Sequence, residues 1–125
     1  MPTTNPPKTI LLVSNNQDLI ETTRANLASH EFNDLIVRMG NREGLAQIIA
    51  ETQPKLILLD FDIDPEPIKF IQEAINAYPH IAFVPILTEA HMVNADQVLL
   101  TEARVFVKYP YQQDALILTV QRAMD

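Results

Sequence analysis

Four short runs of this chain hold almost nothing but apolar residues, and their length leaves few folds open. They are "TILLV" (Thr9–Val13), "LILL" (Leu56–Leu59), "IAFVPIL" (Ile81–Leu87) and "RVFV" (Arg104–Val107). Such runs are short for helices, and apolar character without alternation belongs to strands covered on both faces. A weaker strand, "DLIVRM" (Asp34–Met39), lies between the first two.

Between these runs the apolar period becomes helical. Leu19, Ile20, Thr23 and Leu27 form one face, Leu45, Ile48 and Ile49 another, and Ile68, Ile71, Ala74, Ile75 and Tyr78 a third. Asp64 is the expected N-cap of that third helix, with Pro65 as its first residue. Ala95–Leu100 is a short, weakly patterned helix, and Leu116, Ile117, Val120, Ala123 and Met124 line the last one. Strand and helix therefore alternate five times. That order predicts an α/β fold, a five-stranded parallel sheet with right-handed crossovers and helices on both faces. Its working end is where the strands finish, and Ser14, Asp60, Thr88 and Lys108 all fall at or just past strand ends. Pro85 conflicts with an interior strand, because it cannot donate to the ladder. Either that strand is short at one end, or a bulge lies there.

The 125 residues read as a polar, proline-bearing leader (1–7) followed by one domain (8–125). The absence of cysteine excludes disulfides and thiolate metal sites. Sixteen acids against nine bases, a net charge of −7, argue against a direct nucleic-acid surface. No apolar run is long enough to insert in a membrane, and no signal-peptide core opens the chain, so the expected location is cytoplasmic.

The chemistry concentrates in "LILLDFDIDPEP", where Asp60, Asp62 and Asp64 stand at alternate positions. A calcium loop is excluded, since its sixth and twelfth places need glycine and glutamate and hold Pro65 and Ile71. Asp64 reads as a structural cap. Asp60 is either the polar end of a buried strand or a nucleophile toward phosphoryl groups. The second role needs a cation to mask repulsion, with a hydroxyl and an ammonium on the equatorial oxygens. Thr88 and Lys108 are of the right types in the right places.

These pieces, in this order, resemble the receiver domains of bacterial response regulators. The likeness spans residues 8 to 124 and rests on "ILLV" with its polar turn, "REGLAQIIAETQPKLILLD", "PILTEA" and "VFVKYPYQQDAL". It implies a flavodoxin-like sheet of strand order 2-1-3-4-5, Asp60 as the phospho-acceptor position, Thr88 as the switch hydroxyl, Phe106 as the switching aromatic and Lys108 as the phosphate-contacting cation. It also implies a Mg²⁺ site, yet the two acidic positions after the first strand are Ser14 and Asn15. Mg²⁺ prefers charged oxygens in octahedral array. Asp60, with Asp62 two residues on, would hold it weakly at best, so no cofactor is expected. The fifth-strand element is irregular as well. Matching the prolines puts Tyr109 where the family has its lysine, whereas matching Lys108 makes Tyr109 an insertion. The family's Lys-Pro bond is cis, which makes a cis Tyr109–Pro110 bond the expectation.

What the resemblance implies is an atypical receiver in a two-component-type pathway, not an enzyme. Phosphorylation is weak or absent, and output is by contact with a protein partner or sensor kinase that the sequence does not identify. The alternatives are a regulator that does accept phosphate, or the atypical receiver that precedes the ATPase domain of pilus-assembly proteins. "LILLDFDID" also resembles the first motif of haloacid-dehalogenase-type phosphatases. Its position on a later strand, Asp64 where a Thr or Val belongs and the missing second acidic pair count against that enzyme. Ala115, Leu116, Ile117 and Leu118 are consecutive and cannot all face one core. Either Ala115 or Leu118 is then exposed or covered by a partner, a homodimer through the last helix and fifth strand being the simplest arrangement.

Overall fold

The computed structural model describes residues 9–30, 35–38, 40, 43–99, 103, 105–112 and 114–124. The leader, Asp34, Met39, Leu100 and Arg104 lie outside them. Along the chain run β1 (Ile10–Val13), α1 (Gln17–Ala28), β2 (Leu35–Arg38), α2 (Leu45–Thr52), β3 (Leu56–Asp60), α3 (Pro67–Ala77), β4 (Ala82–Leu87), α4 (Ala95–Leu99), β5 (Val107–Lys108) and α5 (Ala115–Met124). The strands form one all-parallel sheet in the order β2-β1-β3-β4-β5, as expected.

Alternation of side chains divides the core in two. Ile10, Leu12, Leu56, Leu58, Val84, Ile86 and Val107 pack against Leu19, Ile20 and Leu27 of α1 and Leu116, Ile117 and Val120 of α5. Leu11, Val13, Ile57, Leu59, Phe83 and Leu87 face Leu45, Ile48 and Ile49 of α2, Phe70, Ile71 and Ala74 of α3, and Val98 of α4. The central strands therefore have no solvent face. Leu11, Leu12, Ile57 and Leu58 expose 0% of their surface, and truncating any of them to Ala costs about 2–5 kcal/mol.

Pro85 sits in an unbroken β3–β4 register, opposite Leu59. In a parallel ladder successive residues turn their amides to alternate neighbours. The Ala82 amide donates to Lys55 on the β3 side, and the Leu87 carbonyl accepts from Tyr109 on the β5 side. Pro85, in phase with Leu87, aims its missing donor at β5, and among the described residues β5 pairs with Ile86 and Leu87 alone. No bulge is needed, because the neighbouring strand begins late. This corrects the expected fifth strand: it runs Val107–Lys108, with Val105 and Phe106 before it. Phe106 is half-buried against the α2/α3 core.

Asn16 caps α1, its side-chain carbonyl accepting from the Leu19 amide at 3.2 Å. The third helix begins at Pro67 and not at Pro65. Residues just past β3 are taken up by a 3₁₀ turn, Phe61–Ile63, and Asp64 accepts from the Glu66 amide at 2.8 Å in a tight Asx turn.

Candidate functional site

Strand phase puts Asp60 on the α1/α5 side of the sheet, in line with Leu56 and Leu58, and Ser14 on the same side in line with Leu12. Both are buried, Asp60 at 1% and Ser14 at 0% exposure. The Ser14 hydroxyl donates to Asp60 Oδ2 at 2.8 Å, and the Asp62 amide donates to Oδ1 at 2.9 Å. The Asn16 amide in turn donates to Ser14 Oγ at 3.1 Å, so the serine is held at both its proton and its oxygen. Burial raises the Asp60 pKa above its ordinary value, the two donors work against that, and the nearby Asp62 carboxylate adds to it.

Asn15 points elsewhere. Its side chain accepts from the Gly40 amide at 3.2 Å and donates to the Gly40 carbonyl at 3.4 Å. A Cβ at Gly40 would meet Ile48 Cδ1 at 3.2 Å, a tight contact on the side of α2.

Asp62 faces the loop after β4. Its Oδ1 lies 2.7 Å from His91 Nε2, and Thr88 Oγ1 is 3.3 and 3.4 Å from its two oxygens. His91 meets Phe61 edge-on, ring centres 5.9 Å apart. Thr88 and His91 come together because Glu89–Asn94 is a 3₁₀ helix, in which residues three apart eclipse. The Thr88 carbonyl accepts from the His91 amide at 2.9 Å.

At the fifth strand the alternative left open by the sequence has a geometric answer. Val107 and Tyr109 pack on the α1/α5 core, and Phe106 packs on the opposite one. Tyr109 thus shares the face of Asp60, and Lys108 lies out of phase with it. The Lys108 ammonium pairs with Glu89 at 3.0 Å in an exposed contact. The Tyr109–Pro110 bond is cis. Tyr109 stacks edge-on with Tyr111 at 5.3 Å, and the Tyr111 hydroxyl lies 2.6 Å from Thr23 Oγ1. Burial of the Tyr111 phenol raises its pKa well above the ordinary value.

Of the residues singled out from sequence, Asp60 and Ser14 touch, Thr88 touches Asp62, and Asn15, Phe106 and Lys108 make their contacts elsewhere. His91 escaped the sequence reading. The signal for it was its i+3 spacing from Thr88, which matters only if that loop winds as a 3₁₀ helix. Asn16 escaped too, although an Asn just before a helical period is a common N-cap. Among the described residues, no three His, Asp or Glu side chains group as a metal site.

No family model and no curated protein sequence matches this chain. Solved structures do. The N-terminal signal receiver domain of a two-component response regulator from Bacteroides fragilis superposes with a TM-score of 0.80 at 22% identity, covering 94% of this chain and 96% of that one. The fold is that of receiver domains. The NtrX receiver domain of Brucella abortus agrees, with a TM-score of 0.76 at 21% identity over 92% of this chain and 97% of that one. A Burkholderia pseudomallei protein described as pilus-assembly-related gives 0.78 at 14% identity, covering 94% and 90%.

Proposed function

We propose that this chain is a receiver-like signalling module that acts by protein contact, with phosphorylation of Asp60 weak or absent. The observation that carries the reading is how the two positions flanking Asp60 after β1 are used. The Ser14 hydroxyl donates a hydrogen bond to Asp60 and Asn15 is spent on Gly40, so neither offers a charged oxygen beside the acceptor. Both Asp60 oxygens already receive protein donors, and both Asp62 oxygens face Thr88 or His91. This donor set does not fit Mg²⁺, which needs several anionic or carbonyl oxygens in a regular octahedron. The Lys108 ammonium, held by Glu89 out of phase with Asp60, does not replace the ion's charge. An anionic phosphoryl donor would then approach two neighbouring carboxylates with little to offset the repulsion.

Contact is the remaining output. Leu118 on α5 is 50% exposed, and Ala115 beside it is half-buried, which supports a partner on the α5–β5 face. A second copy of the chain is the simplest occupant. The pilus-assembly version of this role draws support from the Burkholderia likeness and predicts a downstream ATPase. A fully phospho-accepting regulator draws its support from Asp60 itself, which stands at the end of β3 with Thr88 just past β4.

Incubation with acetyl phosphate and Mg²⁺ followed by intact mass separates these readings. The expected result is no adduct on the wild type, and an adduct on S14D/N15D that disappears when Asp60→Asn is added. A wild-type adduct lost in Asp60→Asn refutes the proposal.

A further inference from the structure

Two donors of the loop after β4 converge on one carboxylate, and that carboxylate belongs to the chain itself. The 2.7 Å His91–Asp62 contact has the length of a charge-assisted hydrogen bond. The Thr88 distances, 3.3 and 3.4 Å, are those of a stretched hydroxyl shared between two oxygens. Nε2 donates in both the cation and the Nε2–H tautomer, so the contact needs no particular charge state. Phe61 braces the imidazole from the β3 side. On its other flank the same 3₁₀ helix is tied to β5 through Glu89 and Lys108. Val93, 85% exposed, rides on the helix that these two ties pin.

We propose that Asp62 is a built-in anion: its carboxylate engages the Thr88 hydroxyl and the His91 imidazole, the donors an external anion would need, and so holds the β4–α4 loop in one arrangement without covalent modification. The inference rests on the contact-based reading above, since a loop held by the chain's own charge offers partners a constant surface. It also gives Asp62 a second effect, for its charge repels any further anion from the place it fills.

The test is hydrogen exchange of the amides of residues 88–98, read by mass spectrometry. D62A and H91A should each speed exchange there by roughly 1.5- to 5-fold, the span expected for losing one partly exposed ionic tie. The amides of β1 and β3 should keep wild-type protection. Inorganic phosphate at tens of millimolar, against chloride of equal ionic strength, should restore protection in D62A. It should do so neither in D62A/H91A nor, as added protection, in the wild type. Unchanged exchange in both single variants overturns the proposal, as does equal protection of wild type and D62A by phosphate. Collapse of β1 and β3 protection in D62A also overturns it, by making Asp62 a fold residue. Intact mass of the same wild-type sample after acetyl phosphate tests the contact-based reading separately. An adduct there defeats that reading and leaves the exchange result standing.

Discussion

Ser14→Ala removes one hydroxyl and should be among the costlier small substitutions in this domain. Ser14 and Asp60 are both closed to solvent, and their bond is 2.8 Å long. A hydrogen bond to a charged group contributes about 1.5–3 kcal/mol, because deleting one partner strands the other. The Asn16 amide loses its acceptor as well, although a helix-start amide can turn to water. The expected total is about 2–3 kcal/mol. With a urea m-value of roughly 2 kcal/mol/M for a domain of this size, the midpoint should fall by about 1–1.5 M. In the Asp60→Asn background the acceptor is a neutral amide, so the same substitution should cost only about 1 kcal/mol. The resulting coupling, about 1–2 kcal/mol, is the quantity to measure by urea titration of the four proteins in a double-mutant cycle. The pH dependence carries the sign of a raised pKa. Between 3.8 and the higher folded value the native state keeps a proton that the unfolded chain has lost. Stability from this group is therefore present below 3.8 and lost as pH rises through the folded value. Asp60→Asn should accordingly be more stable than wild type at neutral pH, with the advantage fading as pH falls toward 3.8. A Ser14→Ala cost equal in both backgrounds, or an Asp60→Asn advantage that grows on acidification, would refute the buried-carboxylate argument.

The other expectations are smaller. Thr23→Val strands the Tyr111 hydroxyl and should cost about 1–2 kcal/mol by urea titration, while Tyr111→Phe added to it should cost little more. Because burial raises the Tyr111 pKa, its tyrosinate absorbance should appear only with alkaline unfolding. Leu118→Glu should change stability by less than about 0.5 kcal/mol, as an exposed substitution. In sedimentation experiments it should abolish self-association or partner binding through α5, and unchanged association would remove that face from the proposal. Lys108→Ala should also stay within about 0.5 kcal/mol, since its pair with Glu89 is solvated.

Period and run length were enough to read most of this architecture. The face Leu19, Ile20, Thr23 and Leu27 is buried on α1 as expected, as are Leu45, Ile48 and Ile49 on α2 and Leu116, Ile117 and Val120 on α5. Leu118 emerged as the exposed member of its run. These readings hold because burial of a periodic apolar face is a local property written into residue order. The start of β5 was misplaced, since nothing within "RVFV" shows that the strand beside it carries a proline whose missing donor faces that way. The start of α3 was misplaced because the side chain of Asp60, two residues before Asp62, seeds a 3₁₀ turn that delays the helix.

By itself, residue order determined the alternating strands and helices, and with them the parallel sheet and the end of it where chemistry gathers. It also determined that positions 14 and 15 carry no charge. Tertiary structure alone decided which side chains meet there. Ser14 is spent on Asp60, Asn15 turns to Gly40, Asp62 takes Thr88 and His91, and Tyr109 shares the face of Asp60 while Lys108 goes to Glu89. The physical reason is that hydrogen bonds and ion pairs form across strand ends that are tens of residues apart in sequence. A shift of one residue in strand phase turns a side chain to the opposite face of the sheet.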